Sequence, residues 1–152
     1  DADSRWVDIL AVETGWTVYN MGQNGREIPS AVPAFQDDTD LLIVMLGTND
    51  LLQGRSPEQA AEWLKRFLCG VSLDRNKILI IAPPPMTLGE VVSPQLIDDS
   101  HTFAKCCQAL AGQLGIRFAD AGKWNISLAY DGVHFTAQGH KAFAAGLLEE
   151  LR

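Results

Sequence analysis

Two runs without apolar–polar alternation, residues 41–46 (LLIVML) and 77–82 (KILIIA, apolar after its lysine), constrain this chain more than anything else in it. A strand with one wet face alternates apolar and polar residues. A run without alternation belongs to a strand covered on both faces, which is the usual situation in a parallel sheet. Each run stops abruptly, the first at Gly47-Thr48-Asn49-Asp50 and the second at Pro83-Pro84-Pro85. Two shorter β-rich stretches, 16–20 (WTVYN) and 116–119, complete the strand candidates.

Helix-period segments separate the strands. Residues 4–13 carry Trp6, Ile9, Leu10 and Glu13 at three- and four-residue steps, with Gly15 as a stop. Ser56, Pro57 and Gln59 form a capping box with proline at the first helical position, ahead of a stripe of Trp63, Leu64, Phe67 and Leu68. A long helix is expected from about Pro94, with Leu96, Phe103, Cys107, Leu110 and Leu114 on one side. Thr136 should cap a last helix bearing Phe143, Leu147 and Leu151. The alternation of strand and helix predicts an α/β domain with a mainly parallel sheet, spanning 1–152 without repeats or linkers.

Composition excludes several classes. No apolar run approaches the ~18 residues of a membrane span, and a formal charge of −7 is wrong for a partner that must neutralise phosphates. Cys69, Cys106 and Cys107 are odd in number, and neighbouring side chains on a helix diverge. A disulfide framework is therefore not expected, a reducing, cytoplasmic setting is favoured, and localisation otherwise stays open. No CxxC or HExxH spacing suggests a metal, and no cofactor is implied.

Ligands of open α/β sheets bind beyond the carboxyl ends of the strands, and the chemically unusual residues fall there. Taken singly, Gly25 reads as a turn glycine, residues 47–50 as strand-to-loop punctuation, and Asp131-Gly132-Val133-His134 as a turn with a solvated histidine. Taken together they read differently. Asp131 and His134, three residues apart at a loop-to-helix junction, can set a carboxylate beside an imidazole, which fixes the tautomer and stabilises the imidazolium of a general base. The Asn49 side-chain amide and the Gly25 backbone N–H are two donors of the kind a developing oxyanion needs. His101 and His140 fit surface or packing roles. Trp124 is a candidate to line an acyl or alcohol pocket.

In the order Asn20 to Gly25, Gly47-Thr48-Asn49-Asp50 and Asp131-Gly132-Val133-His134 running on into Phe135-Thr136, the chain resembles the SGNH (GDSL-like) hydrolases. The LLIVMLGTND and IAPPP stretches are most similar to the arylesterase and acyltransferase branch. The resemblance implies a flavodoxin-like three-layer α/β/α sandwich and hydrolysis of a small-molecule acyl ester, or acyl transfer, through a Ser-His-Asp triad. It makes Asp131 and His134 triad members and Gly25 and Asn49 oxyanion-hole residues.

No Gly-Asp-Ser occurs in the 152 residues. The resemblance puts the nucleophile at the end of a first strand ahead of Asp1. In the flavodoxin-like order that strand is central, between 16–20 and 41–46, so a preceding segment of the same gene product, on the order of 20–40 residues, is expected as a partner. Ser30, flanked by Pro29 and Pro33, and Ser127 do not sit on a strand-to-helix elbow. Two other readings stand beside the esterase: a metal-dependent phosphoesterase using Asp50, Asp120, Asp131 and His134, and a non-catalytic flavodoxin-like binding module. A homo-oligomer is compatible with each.

Overall fold

The run 77–82 becomes the middle of the sheet. In the computed structural model, which describes residues 5–152, β1 (Leu42–Val44), β2 (Ile78–Ala82) and β3 (Arg117–Asp120) form a parallel sheet in the order β1-β2-β3. Leu42 is opposite Ile78, and Leu79 opposite Arg117. All five residues of β2 are buried. Successive side chains point to opposite faces, so Ile78, Ile80 and Ala82 enter one core and Leu79 and Ile81 the other.

The helices cover the two faces. α3 (Pro57–Cys69) and α4 (Pro94–Leu114) bring Leu64, Phe67, Leu68, Phe103, Cys107, Leu110 and Leu114 to the first core. α1 (Trp6–Thr14) and α5 (Ala137–Glu150) close the second, where Leu10, Phe143 and Leu147 meet Leu79 and Ile81. The Trp6 and Phe143 rings lie 4.6 Å apart. The result is the α/β domain with a parallel sheet that the alternating pattern predicts, and the flavodoxin-like three-layer sandwich that the resemblance implies.

The helix signals hold at the level of single hydrogen bonds. The Ser56 hydroxyl accepts from Gln59 N while the Gln59 side chain accepts from Ser56 N, both at 3.1 Å. Thr136 accepts from Gly139 N at 3.0 Å, and the long helix begins at Pro94 behind the Ser93 cap. Cys69, Cys106 and Cys107 are all free thiols. Of the helix expected over 4–13, Ser4 lies outside the described residues.

One expectation needs correction. Residues 16–20 form no strand. A strand needs a ladder neighbour, and among the described residues β1 pairs only with β2. The stretch is left with Trp16 and Tyr19 exposed. Residues 47–50 lead into a short helix, α2 (Thr48–Leu52).

That short helix carries the most constrained polar group in the molecule. The Asp50 side chain is wholly buried, with Oδ2 accepting from the backbone N–H of Ile28 at 3.0 Å and Oδ1 from Arg55 Nη1 at 2.6 Å. Buried carboxylates persist only when paired in this way. The Asp50 carboxylate therefore fastens the segment around Ile28 to the end of β1, with Arg55 itself lying over the Trp63 ring at 4.9 Å. Replacing the carboxylate orphans a buried N–H, which costs about 1–3 kcal/mol on its own. Asp50→Ala is accordingly expected to lower the urea midpoint of unfolding by at least that equivalent at unchanged m-value. A midpoint within error of the parent would show that the segment does not depend on this anchor.

Candidate active site

The loop between β3 and α5 is a set of nested turns built around one side chain. Asp131 Oδ1 accepts from Val133 N at 2.9 Å and His134 N at 3.0 Å, which folds the chain back so that the His134 ring returns to the same carboxylate. His134 Nδ1 lies 2.5 Å from Asp131 Oδ2. A backbone pair, Ala129 N to His134 O at 2.7 Å, closes the base of the loop. Gly132, at φ +80°, supplies the left-handed residue this fold-back demands.

The hydrogen bonds explain the electrostatics. The backbone N–H of Val133, then the His134 ring and the His134 N–H, hold the Asp131 carboxyl down to about 2 from an ordinary 3.8. A depressed carboxylate favours the folded loop above its ordinary titration range. That contribution is present above about pH 4 and lost as pH falls through about 2. Asp131 is therefore an anion at any pH where an esterase works. The Asp131 side chain is a quarter exposed and that of His134 78% exposed, so the imidazole opens onto the surface with its Nδ1 side tied down.

A second loop locks the first in place. Thr87 N donates to Gly132 O at 3.0 Å. Gly89 packs so closely against the Asp131 carbonyl and Gly132 N that a Cβ there would collide with backbone, and a Cβ on Gly132 would strike Thr87 O. Residues 87–92, which follow β2, thus butt against the acid of the pair. Nothing in the sequence singled out Thr87 or Gly89; the signal was one glycine in an irregular segment.

Gly25 and Asn49 are also joined. Gly25 occupies a turn at φ +71°. Asn49, in the first turn of α2, donates from Nδ2 to the carbonyl of Arg26, the residue after Gly25, at 3.1 Å. One N–H of that amide is thereby spent on positioning and the other remains. With Asp50 gripping Ile28, two consecutive side chains of α2 hold the Gly25 turn beside the carboxyl end of β1. The Asp131–His134 pair sits on the connection leaving the same end of β3.

Other candidates take different roles. Trp124 has a packing role: its ring packs edge-on against Phe143 at 5.0 Å and lies close over Gly146. His140 is a packing histidine, accepting from Trp6 N at 3.2 Å and meeting the Phe135 ring at 5.3 Å. The Ser127 hydroxyl is hydrogen-bonded to Thr136, and among the described residues no hydrogen bond joins a serine hydroxyl to His134. Asp50 is buried and paired with Arg55 and Ile28 N, and among the described residues no three His, Cys, Asp or Glu side chains are grouped to hold a metal. A hollow of about 420 Å³ lined by Pro85, His101, Lys105, Asp120 and Lys123 contains none of the four residues above. No described helix is long and apolar enough to cross a membrane.

Comparison with known proteins follows the same lines. The fold is similar to that of an aryl esterase from M. smegmatis (24% identity, TM-score 0.82), with 100% of this chain and 86% of that one covered. It is also similar to a carbohydrate acetylesterase family member from Sinorhizobium meliloti (22% identity, TM-score 0.84), covering 100% and 87%. A member of the lipolytic protein G-D-S-L family from Veillonella parvula matches at 22% identity and TM-score 0.82, covering 98% and 88%. No curated protein matches in sequence. The pattern of the GDSL-like Lipase/Acylhydrolase family matches residues 1–142. The chain therefore belongs to the GDSL-like lipase/acylhydrolase family and is a carboxylic ester hydrolase of the SGNH type.

Proposed function

We propose that the protein hydrolyses small-molecule acyl esters through a Ser-His-Asp triad in which His134 is the general base, Asp131 orients it, and Asn49 and Gly25 form the oxyanion hole. The observation that carries this reading is the 2.5 Å contact between His134 Nδ1 and a carboxylate already fixed by two backbone N–H groups. A carboxylate so held keeps the Nδ1–H tautomer in place and leaves Nε2 to take a proton. The serine O–H loses its proton to His134 Nε2 as its oxygen bonds to the ester carbonyl carbon. The resulting oxyanion is stabilised by the free Asn49 Nδ2–H and the Gly25 N–H. The imidazolium then protonates the leaving alcohol oxygen as the C–O bond breaks. Water, deprotonated by the same imidazole, repeats the sequence on the acyl-enzyme and restores the serine. A second alcohol in place of water gives acyl transfer.

The nucleophile in this reading belongs to a strand that precedes Asp1 in the gene product and ends in Gly-Asp-Ser. The open edge of β1 supports it. Residues 41–46 have the composition of a strand covered on both faces, yet Leu42 and Ile43 are only half-buried. Among the described residues β1 has no strand neighbour on the side away from β2, the edge at which a further strand would add. The strand-like stretch 16–20 likewise lacks a neighbour. One strand inserted between them satisfies both and ends at the same edge of the sheet as Asn49.

Three outcomes test the reading. His134→Ala in the complete gene product is expected to cut kcat for a short-chain aryl ester about 10³-fold or more, since triad members act as a unit; activity within tenfold of the parent removes His134 from the mechanism. Asn49→Ala should cost about 10²–10³ in kcat, or roughly 2.7–4 kcal/mol, with only a modest fall in Tm from the lost Arg26 contact. A large fall in Tm with undiminished kcat in the folded fraction would make Asn49 purely structural. A serine-reactive fluorophosphonate is expected to label the segment ahead of Asp1, as read by peptide mass mapping, and label on Ser30 or Ser127 would refute that placement.

A further inference from the structure

Large apolar side chains exposed among the described residues fall in two groups. Val12 lies on α1, and Trp16, Tyr19 and Met21 lie along the segment after it, which has no strand neighbour among the described residues. Leu88 at 68%, Val91 at 59% and Tyr130 at 85% exposure lie on the two loops that meet at Asp131. The open edge of the sheet accounts for Trp16, Tyr19 and Met21. It does not account for the second group.

The backbone holds that second group at the dyad. Leu88 adjoins Gly89, which packs on the Asp131 carbonyl, and lies between it and Thr87, which donates to Gly132 O. Val91 is inside the tight turn closed by Val92 N to Gly89 O at 3.3 Å. Tyr130 immediately precedes Asp131. Between Pro83 and Ser93 the only charged side chain is Glu90. Three solvent-facing apolar side chains, carried on two loops that backbone hydrogen bonds hold together beside a polar pair, offer an apolar surface for a ligand.

We infer that Leu88, Val91 and Tyr130 form a lip that binds the apolar alcohol portion of the ester, so that the enzyme selects alkyl or aryl alcohols over strongly hydrated ones. This rests on the general-base role of His134. In that mechanism the imidazolium hands its proton to the leaving oxygen, so the leaving alcohol stands on the histidine side of the reacting carbon. Side chains that border the Asp131–His134 loop therefore meet the alcohol, and the acyl chain extends from the other side of the reacting carbon.

The test compares acetates of alcohols with similar acidity, so that intrinsic leaving-group ability stays constant. With the complete gene product, kcat/KM for hexyl acetate is expected to exceed that for methyl acetate by tenfold or more. The variant L88S/V91S/Y130S should lose at least tenfold of that ratio, mostly through a rise in KM for hexyl acetate. Methyl acetate turnover and the ratio of methyl hexanoate to methyl acetate should stay within threefold. All three side chains are exposed, so the variant should keep the parent Tm. An unchanged hexyl-to-methyl ratio in the variant overturns the inference, as does a loss confined to the acyl series. If His134→Ala retains full activity on methyl acetate, the underlying triad reading fails instead, and the two failures are distinguishable.

Discussion

A carboxylate with no exposure to water sits between three parts of the chain and holds them together. Asp50 accepts from Ile28 N and from Arg55, and each of its oxygens would be costly to bury alone. Ile28 continues the segment that contains the Gly25 turn, Asp50 follows Asn49, and Arg55 leads into α3. One buried ion pair thus converts an irregular stretch of chain into a fixed wall next to the carboxyl end of β1. Arg55 remains one-third exposed, which leaves its guanidinium partly hydrated and keeps the pair from carrying the full desolvation cost of two buried ions. The two neighbours in sequence divide the work: Asp50 anchors the segment and Asn49 trims its geometry through the Arg26 carbonyl.

The sequence was legible wherever one physical rule decided the outcome. The non-alternating run 77–82 could only be a strand covered on both faces, and β2 is that strand. The Ser56 capping box and the Thr136 cap read directly because each depends on residues within three positions of one another. The Asp131–His134 pair was visible for the same reason: its spacing of three is local, and its hydrogen bonds close inside a single loop. Residues 16–20 misled because β-propensity reports side-chain fit to a pleated surface, while a strand also needs a neighbour. The packing of Trp124 was not legible because an aromatic in a loop has no period from which to tell core from pocket, and the fit over Gly146 in α5 is a long-range one. Thr87 and Gly89 stayed invisible because their role is a long-range backbone fit, which leaves no trace in local composition.

The two halves of the site differ in how they are built, and the difference matches what each would do. The Gly25–Asn49 half is anchored by a buried ion pair, and in the proposed oxyanion hole that rigidity is useful, because such a site works by not having to reorganise as charge develops. The Asp131–His134 half lies on an open loop held by backbone hydrogen bonds, with the histidine ring largely in solvent. A general base must first collect and then release a proton, so solvent access on its outer side is no defect, provided its inner nitrogen is fixed. The close packing of Gly89 and Gly132 supplies that fixity without burying the ring.

The depressed acidity of Asp131 also bears on where a proton rests during such a reaction. Its carboxylate accepts three hydrogen bonds, two from backbone N–H groups that cannot be withdrawn without unfolding the loop. Protonating it would cost those bonds their charge assistance, which is why its pKa lies near 2. When His134 becomes imidazolium, the Nδ1 proton therefore stays on the ring, and the pair acts as a fixed anion beside a transient cation. The loop stabilises charge separation instead of relaying a proton through it. That follows from the Val133 and His134 N–H groups as much as from the side chains of the proposed triad, so under that proposal the turn between Asp131 and His134 serves the chemistry as well as the fold.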